Sequence, residues 1–207
     1  MTSVPGGFLQ WPTDRRNPAR TEGLTIATLT ADLFVTVDGY AKGKDAPAYF
    51  GLYGPDLGRW IDTEMSVPQC LLMGRVTYEA LSAAAVADPS DSPDRMAELP
   101  KVVCSTTLDE PLAWANSRIT RDAVSEVRTL KSSLDVPLRT FGSLSIVSTL
   151  VAADLVDRLR LVVFPLALGE SGREPALAGL PDVDLELLST ETLDGRLVVL
   201  EYRPHRR

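Results

Sequence analysis

Two stretches of this chain place a glycine and a hydroxyl where an apolar run gives way to a helical pattern. The first is LLMGRVTY, residues 71–78, with Gly74, Arg75 and Thr77; the second is TFGSLSIV, residues 140–147, with Gly142 and Ser143. Both read as strand, turn, helix. The first turn of a helix has N–H groups without partners and a positive dipole end, which favours an anion by roughly 0.3–1 kcal/mol. Glycine lets a phosphate approach the backbone, and a hydroxyl beside it adds a hydrogen bond. Each turn alone is first of all an ordinary turn and cap. Two of them on one edge of a parallel sheet, one with Arg75, bring the phosphate reading level with the plain one. A dinucleotide pyrophosphate would suit both, although neither is GxGxxG. A third candidate is Asp38 in VTVDGY. The following YAKGKDAPAY does not alternate, so Asp38-Gly39 is not expected to make a tight hairpin. The carboxylate either caps an irregular loop, or it orients a polar substrate or relays a proton.

Missing residues exclude other chemistry. His205 is the only histidine and lies in the tail, so a histidine-based zinc site and a Ser/Cys-His hydrolase both lack their imidazole. No carboxylate cluster has ligand-like spacing, and no metal is expected. Cys70 and Cys104 sit in the apolar runs CLLM and VVCS, as reduced core residues do. GYAKGKD is not a P-loop: only three residues separate Gly39 from Gly43, and Asp45 follows Lys44. GESGR lacks the GxSxG spacing and reads as a loop. A net charge of −7, with no basic patch outside the tails, argues against nucleic acid but leaves room for a small anionic ligand.

The elements that must position these residues follow from the hydrophobic pattern. LTIATLTADLFVTVDGY favours strand, and PDLGRWIDTEM spaces Leu57, Trp60, Ile61 and Met65 as a helix does, with Pro55 in its first turn. QCLLM reads as a strand leading into a helix over about 75–85, ADPSDSPDRMAELP as a surface loop, and KVVCS as a buried strand. RDAVSEVRTLKSS is a helix with Val124, Val127 and Leu130 on one face, capped by Asp122 or Thr120. PLRTF, SLSIVSTLVAAD and VDRLRLVVFPLAL continue as strand, helix and strand, and VDLELLST and RLVVLEY form a hairpin about Asp194-Gly195. Alternating strands and helices predict an α/β fold with a mainly parallel sheet covered on both faces, edged by that antiparallel hairpin. Residues 1–22, rich in Pro, Gly and charge, read as an N-terminal extension; residues 23–207 read as one domain. No apolar run approaches a membrane span and no secretory h-region is present, which points to the cytoplasm.

Taken in order, VTVDGY, LLMGRVTYEAL, KVVCSTTL, RTFGSLSIVSTL and LVDRLRLVVFPLALG resemble the dihydrofolate reductase-like superfamily. More narrowly they are similar to stand-alone relatives of the reductase domain of the bifunctional riboflavin-biosynthesis deaminase/reductase, over about residues 24–203. The resemblance implies a three-layer α/β/α sandwich with a mixed sheet, homodimers, and hydride transfer from NADPH, with NADH as the alternative cofactor. It assigns cofactor contacts to Gly74, Arg75 and Thr77, to Ser105 and Thr106 beside the adenosine ribose, and to Gly142, Ser143 and Leu144 at a second phosphate turn. Asp38 would face the nicotinamide and substrate.

Three departures bear on specificity. Many relatives have Ser-Arg-Thr-Leu where this chain has Ser105-Thr106-Thr107-Leu108, so a cation near the 2′-phosphate is missing unless Arg75 replaces it. The riboflavin-pathway enzymes have a glutamate where Phe141 stands, which argues against their substrate. The zinc deaminase half and its His/Cys motif are absent. The expected activity is therefore an NAD(P)H-dependent reductase acting on a small heterocyclic, imine or carbonyl substrate. The alternative is a non-catalytic nucleotide- or flavin-binding protein using the same cleft. Tyr40, Tyr49, Phe50 and Trp60 are candidates for the substrate pocket, with core packing as their other reading.

Overall fold

The computed structural model describes residues 26–87 and 95–207. The expected extension at 1–22, and residues 88–94 of the expected surface loop, lie outside them. In chain order the elements are β1 (Leu29–Thr36), β2 (Tyr40–Gly43), α1 (Pro55–Ser66), β3 (Cys70–Gly74) and α2 (Arg75–Ala87). Then come α3 (Arg95–Glu98), β4 (Lys101–Cys104), β5 (Ser117–Thr120), α4 (Ala123–Ser133) and β6 (Leu138–Phe141). The chain ends with α5 (Leu144–Ala152), β7 (Arg158–Phe164), β8 (Gly172–Pro175), β9 (Val183–Leu193) and β10 (Leu197–Arg206). One eight-stranded sheet runs β5-β4-β3-β6-β1-β7-β10-β9. Its first six strands are parallel, and β10 and β9 add antiparallel neighbours. The carboxyl ends of β5, β4, β3, β6 and β1 consequently share one edge.

Alternation along the strands separates two faces. Leu29, Ala31, Leu33 and Val35 of β1 pack with Val127 and Leu130 of α4 and with Ile146, Val147 and Leu150 of α5. The opposite face carries two separate apolar clusters. In one, α1 lays Leu57, Trp60 and Ile61 against Phe34, Val162 and Phe164. In the other, Tyr78 and Leu81 of α2 pack with Leu71, Met73, Val103 and Trp114. Helices thus cover both faces, as the sequence pattern requires, and a gap between α1 and α2 lies over β6 and β1. No helix among the described residues is long and apolar enough to cross a membrane.

Thr140 shares the α4/α5 face with Leu138 by the same alternation. It is fully buried, and its Oγ1 has no hydrogen-bond partner. An orphaned hydroxyl costs free energy that a methyl does not. Thr140→Val is expected to raise stability by about 1 kcal/mol, and so the thermal midpoint by about 2–4 °C. A lowered midpoint in a melting experiment would contradict this account.

Several local expectations change. The segment ADPSDSPDRMAELP is not loop throughout: it contains α3, and Leu99 is buried against Val103 and Trp114. Ser117–Thr120 has no strong strand pattern but forms β5, held by pairing to β4. Asp38-Gly39 makes no tight hairpin, as expected; β2 pairs instead with β8, so part of the expected GESGR loop is strand. Cys70 and Cys104 are free thiols, and burial pushes each up to about 12. The hairpin turn at Asp194-Gly195 does form, with both residues at positive φ. Asp194 also caps α1 from a distance: its carboxylate accepts from Asp56 N at 2.8 Å and Leu57 N at 3.2 Å. Asp56 returns the contact to Asp194 N at 2.9 Å. Gly54, the residue at the N-cap, supplies no side chain of its own and leaves room for that carboxylate.

Candidate functional site

The gap between α1 and α2 is floored by charge. Strand register sets Asp32 of β1 directly beside Arg160 of β7, with Arg139 on β6 paired to Thr30. Arg160 donates from Nε to Asp32 Oδ1 at 2.6 Å and from Nη2 to Oδ2 at 3.0 Å. Arg139 donates from Nη1 to Asp32 Oδ2 at 2.7 Å and from Nε to Gln69 Oε1 at 2.7 Å. Both guanidinium groups also reach Glu64 Oε2, Arg160 at 2.9 Å. Two carboxylates and two guanidinium groups balance to zero. Burial alone would raise the Glu64 carboxyl, but hydrogen bonds and attraction from Arg160 and Arg139 outweigh it and hold the group below its ordinary value. Trp60 closes the cluster, its ring centroid 4.8 Å from the Arg160 guanidinium carbon.

Above this floor lies a cavity of about 210 Å³. Phe34, Tyr49, Trp60 and Phe141 give it aromatic walls, and Ile61, Met65 and Leu81 complete the apolar lining. Its polar lining includes Asp32, Glu64 and Arg139, with Thr77 and Gly142 from the glycine turns. Tyr49 and Phe50 are consecutive non-glycine residues at φ 51° and 53°. Left-handed backbone costs each about 1–2 kcal/mol. Aromatic contacts offset part of that cost: Tyr49 meets Phe34 edge-on at 5.7 Å between ring centroids, and Phe50 meets Phe164 at 5.2 Å.

The two glycine turns touch each other. A Cβ added at Gly74 would lie 2.8 Å from Ser143 Oγ, and one added at Gly142 would lie 2.8 Å from Thr77 Oγ1. Gly142 is also at φ 60°, and its peptide to Ser143 is cis. Leu144 opens α5, and Ser143 at the N-cap makes no side-chain bond to the helix amides. Its Oγ instead lies 2.8 Å from Ser145 Oγ. Gly74, Thr77, Gly142 and Ser143 are therefore one constellation at the carboxyl ends of β3 and β6, opening onto the aromatic cavity. The missing Cβ at each glycine makes room for the other turn's hydroxyl, and the fit of a phosphate here rests on the donor set so gathered: the Thr77 and Ser143 hydroxyls beside the first-turn amides of α2 and α5.

The other candidates lie further along the edge or outside the cavity. Arg75 is exposed and pairs with Glu79 at 2.8 Å. Ser105 Oγ accepts from Thr107 N at 3.2 Å and Leu108 N at 3.0 Å, which folds the turn after β4 and leaves Thr106 exposed. Arg121, after β5, donates to Ser105 O at 2.6 Å and Leu108 O at 2.5 Å. Sequence reading missed this cation because only the β4–β5 register brings it to a turn 16 residues away. Asp38 is outside the cavity lining. Its Oδ1 accepts from Thr36 Oγ1 at 2.6 Å, and its Oδ2 from Leu168 N at 2.9 Å and Gly169 N at 2.8 Å. Of the four aromatic candidates, Tyr49 and Trp60 line the cavity; Tyr40 and Phe50 do not. The buried cluster of Asp32, Arg139 and Arg160 was also missed, since the three lie on separate strands and only the sheet register brings them together. Among the described residues, no group of three or more His, Cys, Asp or Glu could hold a metal ion.

Comparison with known proteins bears on the family and the fold. The RibD C-terminal domain family matches residues 27–199. An uncharacterized Bacillus subtilis protein, YyaP, is 26% identical over 197 residues, covering 88% of this chain and 97% of the relative. The crystal structure of a putative riboflavin biosynthesis protein from Shewanella sp. PV-4 superposes with a TM-score of 0.65 at 20% identity, covering 86% of this chain and 99% of that one. Dihydrofolate reductase from Enterococcus faecalis, complexed with NADP(H), superposes with a TM-score of 0.58 at 14% identity, covering 86% and 97%. At these identities the two structures speak for the fold, which is dihydrofolate reductase-like.

Proposed function

Because the chain belongs to the RibD C-terminal domain family, we propose that it is an NADPH-dependent reductase passing a hydride to a small heterocyclic, imine or carbonyl substrate. The observation that carries this reading is the joined pair of glycine turns opening onto one aromatic cavity. Bound NADPH would supply the hydride. Gly74 and Gly142 let the starts of α2 and α5 meet, so that Thr77 and Ser143 would offer hydroxyl donors, and Leu144 the first helical amide, to the pyrophosphate. Ser105 and Thr106 would take the adenosine ribose. The aromatic walls would orient the acceptor and exclude water from it. Asp38, which ties the Leu168–Gly169 loop to the end of β1, is proposed to face the nicotinamide and substrate from there.

Arg75 remains the proposed reader of the 2′-phosphate. Its exposed pair with Glu79, at helical i,i+4 spacing, is worth only about 0.3–0.5 kcal/mol and yields readily to a phosphate. The proposal includes action in the cytoplasm and a homodimer, for which the exposed Leu185 and Leu187 on edge strand β9 give support. NADPH at a hundredfold excess over its dissociation constant should stabilise the fold by about 2.7 kcal/mol, a rise of roughly 5–10 °C in the thermal midpoint. Arg75→Ala should weaken NADPH more than NADH. Equal weakening would move Arg75 to the pyrophosphate, and no shift with either nucleotide at millimolar concentration would overturn the reductase reading.

A further inference from the structure

Reducing a carbonyl or a neutral imine takes a proton as well as a hydride, and few of the polar groups around the cavity can give one. The oxygens of Asp32 accept three guanidinium bonds. Burial works against it, yet Arg160 and Arg139 hold Glu64 below its ordinary value, so it is ionised near neutrality. Arg139 does not release a proton, and its N–H groups are committed to Gln69, Asp32 and Glu64. The threonine hydroxyls and the Trp60 N–H are far weaker acids than a phenol. Asp38 lies outside the lining. The Thr36 hydrogen bond first, then backbone N–H bonds from Gly169 and Leu168, hold it below its ordinary value, so it too is a carboxylate. Among the described residues of the lining, that leaves Tyr49.

Tyr49 is placed for this role by a strained backbone and by its neighbours. Its φ of 51° begins three consecutive residues in the left-handed region, with Phe50 at 53° and Gly51 at 70°. Non-glycine residues held there collect at functional sites, where surrounding contacts fix them. Here the contacts are an edge-on approach to Phe34 at 5.7 Å and a tilted one to Tyr53 at 5.3 Å. They hold the ring at the cavity wall, and its hydroxyl is bonded to no other described residue. Burial, and then the neighbouring Tyr53, push the phenol above its ordinary value, so it stays protonated through neutral pH. Tyr49 is also 36% exposed, which lets water return a proton after each turnover.

We propose that Tyr49 is the proton donor of the reduction. As the acceptor carbon takes the hydride, the π electron pair of its C=O or C=N bond moves onto the oxygen or nitrogen. The Tyr49 O–H bond breaks and its proton passes to that atom. The tyrosinate left behind takes a proton from water, so each turnover consumes one hydride and one solvent proton. The step rests on the reductase reading; the placement of the phenol against the acceptor is testable without any cofactor.

Isatin, a flat two-ring ketone, is the probe. In the cofactor-free chain, with tyrosines labelled with carbon-13 at Cζ, the Tyr49 signal should move on addition of isatin while the Tyr53 signal stays in place. Loss of each signal in Tyr49→Phe and Tyr53→Phe identifies it. With NADPH present, Tyr49→Phe should lower kcat for isatin about a hundredfold, within the range of a general acid. Its kcat for N-methyl-3,4-dihydroisoquinolinium should match the wild type, because that cation becomes a neutral amine on taking a hydride and needs no proton. Tyr53→Phe, which removes the neighbouring phenol outside the lining, should leave both rates as they were. An unmoved Tyr49 signal, an isatin rate unchanged in Tyr49→Phe, equal losses with both acceptors, or no reduction of either acceptor by the wild type would overturn the proposal. Without any nucleotide-induced melting shift, the reductase reading falls and the step with it. With that shift but no movement of the Tyr49 signal, only the step falls.

Discussion

Asp32→Ala is expected to lower the thermal midpoint by on the order of 10 °C, because it strands two guanidinium groups in the protein interior. Asp32 accepts three of their hydrogen bonds and is 8% exposed. Removing one partner from a buried ion pair costs about 3–5 kcal/mol, and each kcal/mol is worth roughly 2–4 °C in a chain of this size. Glu64 Oε2 would be left to balance both arginines. The double variant Asp32→Leu with Arg160→Met should recover much of the loss, since it removes one charge of each sign and leaves Arg139 facing Glu64. Thermal melts of the single and double variants decide the matter. A double variant no more stable than Asp32→Ala would show that the cost lies in packing and not in unpaired charge.

The same cluster gives a sign to the acid limb of stability. Glu64 has a folded pKa below its ordinary 4.5, so its contribution is fully present above that value. It is lost as pH falls through the lowered folded pKa. The stability that Glu64 contributes is therefore constant near neutrality and declines in acid.

Gly142→Ala is expected to lower NADPH affinity at least about tenfold while the chain still folds, as the added methyl displaces the Thr77 hydroxyl proposed to hold the pyrophosphate. The new Cβ would meet Thr77 Oγ1 at 2.8 Å, so Thr77 must swing away from the place where it would hold an anion. Alanine at φ 60° adds a folding cost of about 1–2 kcal/mol that has nothing to do with binding. Gly195→Ala isolates that cost. Gly195 has φ 63° and nothing within 4 Å of an added Cβ, and it sits in the β9–β10 turn. Both variants should lose a few degrees in the melt, but only Gly142→Ala should lose NADPH in a fluorescence titration. Equal NADPH affinity in the two variants would remove the phosphate from this turn.

Much of the architecture was legible because local chemistry agreed with the final fold. The periodicity of PDLGRWIDTEM, the cap at Asp122, the paired glycine turns and the Asp194-Gly195 hairpin each depend on neighbours within a few residues. Elements that depend on distant partners were not legible. β5 exists through its pairing with β4, β2 leaves β1 to join β8, and α1 takes its cap from a residue 138 positions away.

The candidate site divides the same way. By itself the sequence determined the α/β order of elements, both strand–glycine–helix turns and the absence of an imidazole for hydrolytic or zinc chemistry. A glycine before a helix is a local signal, and a lone histidine in the tail is read without coordinates. Only the tertiary structure decided that the two turns meet, that Arg121 lies across the Ser105–Leu108 turn and that Asp38 binds a loop outside the cavity. It alone put Asp32, Glu64, Arg139 and Arg160 together. Strand register and crossover order set those distances, and a buried charge can be tolerated only where they deliver its counter-charge.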